Sequence, residues 1–224
     1  MDPQINKALV ACLEHYASGD QQDISSLLPE LLNVFESDSS FLAKVADMDV
    51  LVDAHPGFEE LREVLFDLLM MNFFMSDVEK LETDYLESEE WETIEEETID
   101  RGTELLNLLL YLGECIDEGI QPDLDDYLKE FLLVDEDEFQ DEHKIYEPVI
   151  SQPILVESSF EEIAGAAKKL TEDEPLADLF YPMLGFFYEQ DPEPVDLEEF
   201  AEHAPNLPFD QAVYQLIVHY NRSA

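Results

Sequence analysis

Hydrophobic residues recur at helical spacing along most of this chain. In the first segment, Leu9, Leu13 and Tyr16 lie three or four positions apart, and Gly19 follows where a helix would end. No segment shows the strict alternation of apolar and polar residues that is typical of a β-strand. The pattern therefore predicts an all-α protein, which we expect to be a compact multi-helix bundle of about nine or ten helices.

Prolines and glycines mark the places where the helical pattern is interrupted. Asp49–Asp53 (DVLVD) is expected to be extended or a tight link, and Pro148–Val156 (PVISQPILV) holds two prolines, which makes it the best linker candidate. Pro182 lies inside a helical segment and is expected to kink it. Glu90–Asp117 predicts a long helix that is interrupted at Gly102.

The chain also resembles itself at a spacing of 100 residues. Gly19–Glu36 aligns with Gly119–Glu136, and each segment has a glycine, an aspartate that can cap a helix, and then an amphipathic helix. We expect a single all-helical body, 1–224, with possible pseudo-repeat halves 1–100 and 101–204 and a C-terminal helix 206–222. Chance similarity between two acidic amphipathic helices is the alternative.

Acidic residues dominate the charge of the chain. Its 56 Asp and Glu residues face 10 Lys and Arg residues, which gives a formal net charge of −46, yet 46% of the residues are hydrophobic. Because the apolar residues are plentiful and patterned, we expect the charge to lie on the surface of a folded protein. Such a surface attracts cationic partners and repels nucleic acid and anionic membranes. With no signal-peptide pattern and no long apolar stretch, the expectation is a cytoplasmic protein that binds neither nucleic acid nor membrane.

The acidic residues are concentrated in runs. Glu82–Asp100 contains no basic residue, and Glu114–Glu142 contains a single lysine. Trp91, the one tryptophan, lies in the first run, where it forms with Ile94 and Thr98 a possible apolar ridge on a charged helix. Aromatic residues within charged surfaces anchor partners, although packing on the protein's own core is the alternative. The candidate partner surface is Trp91, Glu92, Glu95, Glu96, Glu97, Asp135, Glu136, Asp137 and Glu138.

No catalytic signature is found. The sequence has no nucleotide-binding loop, no nucleophile elbow and no zinc-type Cys/His pattern. The acids in Asp47–Asp53 and Asp135–His143 lack the turn-forming glycine and the closing glutamate of a calcium loop. Glu199 and His203 lie one helical turn apart, with Asp210 as the one nearby candidate for a third metal ligand. We expect no catalytic residue, no metal site and no cofactor.

Three functions fit these observations. The leading prediction is a non-catalytic, acidic interaction module that binds a basic partner protein. A sharper alternative is a nucleic-acid mimic, because carboxylates at i, i+3 and i+4 repeat every ~5–6 Å along a helix, which is close to phosphate spacing. A carboxylate-based cation-binding protein or enzyme is the third. Salt adaptation or solubility would explain the acidity without a partner, and the sequence leaves the partner and the oligomeric state open.

Overall fold

The computed structural model describes residues 1–20, 22–76, 83–132, 139–171 and 174–222. Every regular element within these ranges is a helix, which confirms the all-α prediction. The α-helices are α1 (Pro3–Asp20), α2 (Leu27–Glu36), α3 (Phe41–Ala54), α4 (Arg62–Met75), α5 (Thr83–Leu86), α6 (Glu89–Thr98), α7 (Leu105–Glu118), α8 (Leu124–Leu132), α9 (Phe139–Ile150), α10 (Phe160–Ala167), α11 (Phe180–Tyr188), α12 (Pro194–His203) and α13 (Leu207–Asn221). Two 3₁₀ helices are η1 (Pro56–Leu61) and η2 (Pro153–Glu157).

The prediction that Asp49–Asp53 is extended or a tight link was wrong. This segment is part of α3. Ser40 begins this helix by accepting a hydrogen bond from the amide of Ala43. Val52 is fully buried, whereas Asp49 and Asp53, one helical turn apart, both bond to the same arginine. Asp49 and Asp53 therefore lie on one side of the helix, and Val52 lies on the side that faces the core.

Pro148–Val156 was predicted to be an extended linker, and this prediction was wrong. Pro148 lies near the end of α9, and η2 forms from Pro153 onward. The helix continues past the proline, since the amide of Ser151 donates to the carbonyl of Glu147 at 2.9 Å. Val149, next to the proline, is 3% exposed, so this end of α9 packs on the core.

Pro182 does not kink a long helix. The helix begins at Phe180, so the proline occupies the first turn, where backbone N–H groups need no helical acceptor. The predicted interruption at Gly102 is found, because α6 ends before it and α7 begins after it.

The core is shared by the two ends of the chain. α1 and α13 pack along each other more extensively than any other pair, and α13 also contacts α7, α11 and α12. α4 contacts α1, α3 and α7. Buried hydrophobic residues from α1 to α13 form one contiguous cluster. Both predicted halves contribute to this cluster, and their origin as a repeat stays a prediction.

The two loops that the 100-residue spacing pairs have one local feature in common. Asp23 Oδ1 accepts a hydrogen bond from the amide of Ser25 at 2.9 Å, and Asp123 Oδ1 accepts one from the amide of Asp125 at the same distance. Each aspartate thus forms a turn with the residue two positions on.

Aromatic side chains dominate the core around α11. All residues from Phe180 to Phe187 are buried. Phe200 stacks between Tyr181 and Tyr214, with ring centroids 4.5 and 4.3 Å away. Within the described residues, no helix combines the length and the apolarity that crossing a membrane requires.

Candidate functional site

The exposed side of α6 consists of carboxylates. Ser88 begins the helix, with its hydroxyl accepting from the amide of Trp91 at 3.2 Å. Negative charges in the first turn interact favourably with the helix dipole. The six exposed carboxylates, here named the acidic face, are Glu89, Glu90, Glu92, Glu95, Glu96 and Glu97.

The other side of α6 packs inward. Ile94 is 4% exposed, and Thr98, whose hydroxyl donates to the carbonyl of Ile94, is 9% exposed. Trp91 is half-buried, with its ring centroid 5.4 Å from that of Phe74 and 6.3 Å from that of Tyr85. The apolar ridge predicted from the sequence therefore attaches α6 to the protein's own core. Trp91 borders the acidic face rather than projecting from it.

Polar contacts hold the chain where α6 ends. Arg101 Nε donates to both carboxylate oxygens of Glu63 at 3.0 Å, and its terminal nitrogens bond to Asp49 at 3.0 and 3.2 Å. The guanidinium also lies over the ring of Phe66, 4.9 Å from its centroid. The amide of Gly102 donates to Glu63 Oε2 at 2.7 Å. These contacts link the segment after α6 to α3 and α4.

Asp67 completes this attachment from inside the core. Its side chain is fully buried, and its carboxylate oxygens accept from the amide of Thr103 at 3.0 and 3.1 Å and from the Thr103 hydroxyl at 2.5 Å. Burial raises the pKa of Asp67 to about 8, against the opposing effect of the Thr103 hydrogen bonds. We call Arg101, Gly102 and Thr103, with their partners Asp49, Glu63 and Asp67, the α6 latch.

Gly102 is required by the geometry of the α6 latch. Its φ of 86° lies in the left-handed region that side chains disfavour. A Cβ atom at this position would lie 2.7 Å from Asp67 Oδ1. The close approach allows the buried carboxylate to reach the adjacent backbone.

Arginine side chains pair with carboxylates of α3 and α4, whereas none of the described arginines pairs with a carboxylate of α6. Arg62 bonds to Asp49, Asp53 and Glu59, in addition to the pairing of Arg101 with Glu63. Among the described residues, no ion pair involves a carboxylate of the acidic face. Within the described ranges, the acidic face therefore keeps its negative charge without an ion-pair partner.

Some of the residues that the sequence selected lie together in this candidate site, and their role as a partner surface stays a prediction. The sequence selected Trp91, Glu92 and Glu95–Glu97, which the structure brings together on α6. It missed the α6 latch, although one signal was present: Asp67 is the lone acid in the apolar run Val64–Met75. The second half of the predicted surface, Asp135–Glu138, lies outside the described residues.

The candidate metal ligands do not converge in the described part of the chain. Asp49 and Asp53 are engaged with arginine side chains. Asp210 is buried, and its carboxylate accepts from the amide of Asn206 at 2.8 Å. Over the described ranges, no three His, Cys, Asp or Glu residues are grouped so that they could hold a metal ion. In comparisons with known proteins, no protein-family model, no curated protein and no solved structure matches this chain.

Proposed function

We propose that this protein is a non-catalytic interaction module and that the acidic face of α6 binds a basic partner protein. The observation that carries the proposal is the separation of the two sides of α6. Ile94 and Thr98 face the core, and the six carboxylates of the acidic face point outward without an ion-pair partner among the described residues. The helix therefore presents concentrated negative charge from a fixed position.

The cap at the start of α6 and the attachment of the segment after its end support this proposal. Ser88 caps the start of the helix, and the α6 latch fixes the segment that follows its end. A surface that is ordered before binding loses less entropy when a partner docks. Exposed charges of one sign accelerate association with an oppositely charged protein, and salt weakens the effect. Lys and Arg side chains of the partner would pair with the glutamates at the surface.

A nucleic-acid mimic is the second candidate, and it uses the same surface. Glu92, Glu95 and Glu96 are exposed at the i, i+3 and i+4 positions of one helix. Neighbours at these positions lie ~5–6 Å apart, which is similar to the spacing of phosphates. The partner would then be a protein that binds DNA or RNA through a cationic groove.

The proposal is tested by affinity capture from a lysate of the source organism, with washes at about 0.1 M and about 1 M NaCl. The test variant is E95Q/E96Q/E97Q on α6. The matched control is E198Q/E199Q/E202Q, which removes the same charge from exposed positions of α12. We expect basic proteins to be captured by the wild type and by the control, and to be lost from the test variant and from the high-salt wash.

The outcomes separate the candidates. Displacement of the captured protein by duplex DNA would support the mimic. Capture that survives competition by DNA but is lost with the α6 variant would support a binding module of another kind. If the α6 and α12 variants capture the same proteins equally well, the acidic face is not the binding surface.

A further inference from the structure

A groove on another part of the molecule lies between η2 and α10. It has a volume of about 880 Å³ and is lined by residues that include Ile154, Leu155, Gly165 and Ala166. A second cavity of about 420 Å³ adjoins it, and the two share Ala166 and Lys169 in their linings.

The groove has an apolar wall and an open floor. Ile154 is 70% exposed although it is a large aliphatic residue, and Leu155 beside it is half-buried. Across from η2, Gly165 of α10 is exposed and has no side chain, and a Cβ atom there would meet open space, with no atom from beyond its own helical turn within 4 Å. The space above Gly165, which is the floor of the groove, can therefore hold one bulky apolar side chain of a partner. That side chain would contact Ile154 and Leu155 and remove part of their surface from water.

Carboxylates surround the groove. Glu161 and Glu162, in the first turn of α10, are exposed and line the larger cavity, and Glu147 and Glu174 line the smaller one. Against these four acids, the described residues of the two linings include one cation, Lys169. The charge complement of this rim is a partner segment with several Lys or Arg residues.

The dimensions fit a helical segment. Residues 161–169, which border both cavities, extend over about 12 Å if each residue rises 1.5 Å. That distance is about two helical turns, so a docked helix can place apolar residues at i, i+3 and i+7 in the groove and basic residues on its flanks.

We infer that this groove binds a basic amphipathic helix of a partner protein, with one bulky apolar side chain seated between Leu155 and Gly165 and with Lys or Arg side chains at Glu161 and Glu162. The site is separate from the acidic face. It goes beyond the proposed function because it specifies the conformation of the bound segment and the apolar contact that holds it.

The test uses a fluorescein-labelled Leu/Lys peptide of about 18 residues, a length at which an amphipathic helix can form on binding. Its control is a peptide of the same composition whose Leu and Lys residues are scrambled so that no apolar side exists. Fluorescence anisotropy at about 0.15 M NaCl measures binding to the full chain. We expect the amphipathic peptide to bind at least about tenfold more tightly than the scrambled one.

Variants locate the binding site. Gly165→Leu fills the floor and should weaken binding of the amphipathic peptide by at least about tenfold, while Gly165→Ala should change it by less than about threefold. E161Q/E162Q should weaken binding by several-fold at about 0.15 M NaCl and have no effect at about 0.5 M. Thermal unfolding by circular dichroism verifies that each variant is folded.

Two results would overturn the inference. One is equal binding of the amphipathic and scrambled peptides, since charge alone would then account for the affinity. The other is unchanged binding to Gly165→Leu. The affinity of the α6 variant E95Q/E96Q/E97Q for the amphipathic peptide should lie within about threefold of the wild-type affinity. The peptide assay therefore tests the groove, and the affinity capture tests the acidic face, independently of each other.

Discussion

The helices α6 and α11 are similar in length but differ in how the protein holds them. α11 is buried from Phe180 to Phe187 and packs on the stacked rings around Phe200. α6 buries two side chains, Ile94 and Thr98, and relies otherwise on half-buried Trp91 and on the polar contacts of the α6 latch.

The difference shows how a strongly acidic chain maintains a folded surface. Apolar burial of the kind that surrounds α11 depends little on pH or salt, whereas the α6 latch depends on the charge of Arg101 and Glu63 and on the protonation of Asp67. The helix α6, whose exposed carboxylates have no ion-pair partner in the described part of the chain, is attached by a narrow apolar ridge and by the segment that follows it. We therefore expect α6 to belong to the less stable part of the molecule.

The largest difference should come from deleting one aromatic ring in each region. Phe200→Ala removes a fully buried ring from the α11 core and should lower the free energy of unfolding by about 3–5 kcal/mol. Trp91→Ala should lower it by about 1–2 kcal/mol, because the indole is half-buried. Urea unfolding at pH 7, followed by far-UV circular dichroism, measures both values. Equal losses would contradict the distinction between the regions.

A dependence on pH should come from the α6 latch. Burial raises the pKa of Asp67 in the folded state to about 8, so the folded protein keeps a proton that the unfolded chain has lost. The contribution of Asp67 to stability is complete below about pH 4 and is lost as the pH rises toward 8, by at most about 1.4 kcal/mol per pH unit.

Asp67→Asn isolates this effect. The amide does not titrate, so the free energy of unfolding of D67N relative to the wild type should rise between pH 5 and about pH 8. Asp210, whose pKa burial also raises, to about 7, is present in both proteins and cancels in the difference. Urea unfolding at several pH values provides the comparison, and parallel profiles for the two proteins would exclude Asp67 as the cause.

A smaller contrast concerns two helical glycines. In α11, a Cβ atom at Gly185 would lie 2.9 Å from Phe200 Cε2, so Gly185→Ala should destabilise the protein by about 1–3 kcal/mol. In α10, Gly165 has open space around it, and Gly165→Ala should stabilise the protein by about 0.5–1 kcal/mol. Thermal unfolding shows whether each variant is more or less stable than the wild type. If both variants were stabilised, or both destabilised, the result would be inconsistent with this packing.

The smallest effect on stability should come from the acidic face itself. E95Q/E96Q/E97Q should change the free energy of unfolding by less than about 0.5 kcal/mol, because these side chains are exposed and have no ion-pair partner among the described residues. Because the substitutions remove repulsion between like charges, any change in the free energy of unfolding should be an increase. Urea unfolding of this variant beside E198Q/E199Q/E202Q tests it, and a loss above about 1 kcal/mol would assign these glutamates a structural role.

Local signals in the sequence gave several helix boundaries. Ser159 is one of them: its hydroxyl accepts from the amide of Glu162 at 3.2 Å and so caps the start of α10. The helix α12 begins at Pro194, where Glu193 and Asp196 form a capping box, although Asp196 and Glu199 have the same spacing one turn later. A capping box joins two residues three positions apart, and suitable residue pairs can occur at successive turns. Residue types alone therefore do not determine at which of these turns a helix begins.

The sequence by itself determined the helical class, the large negative charge and the acidic run on α6 that lacks basic residues. The tertiary structure decided which side of α6 is buried, and it brought Thr103 to Asp67, which lies 36 positions away in the chain. It also opened a groove beside Gly165, a residue that the sequence pattern did not distinguish. The physical reason is that helical periodicity and capping act within a few residues. The partner of a buried carboxylate and the space beside a glycine depend instead on how distant helices pack.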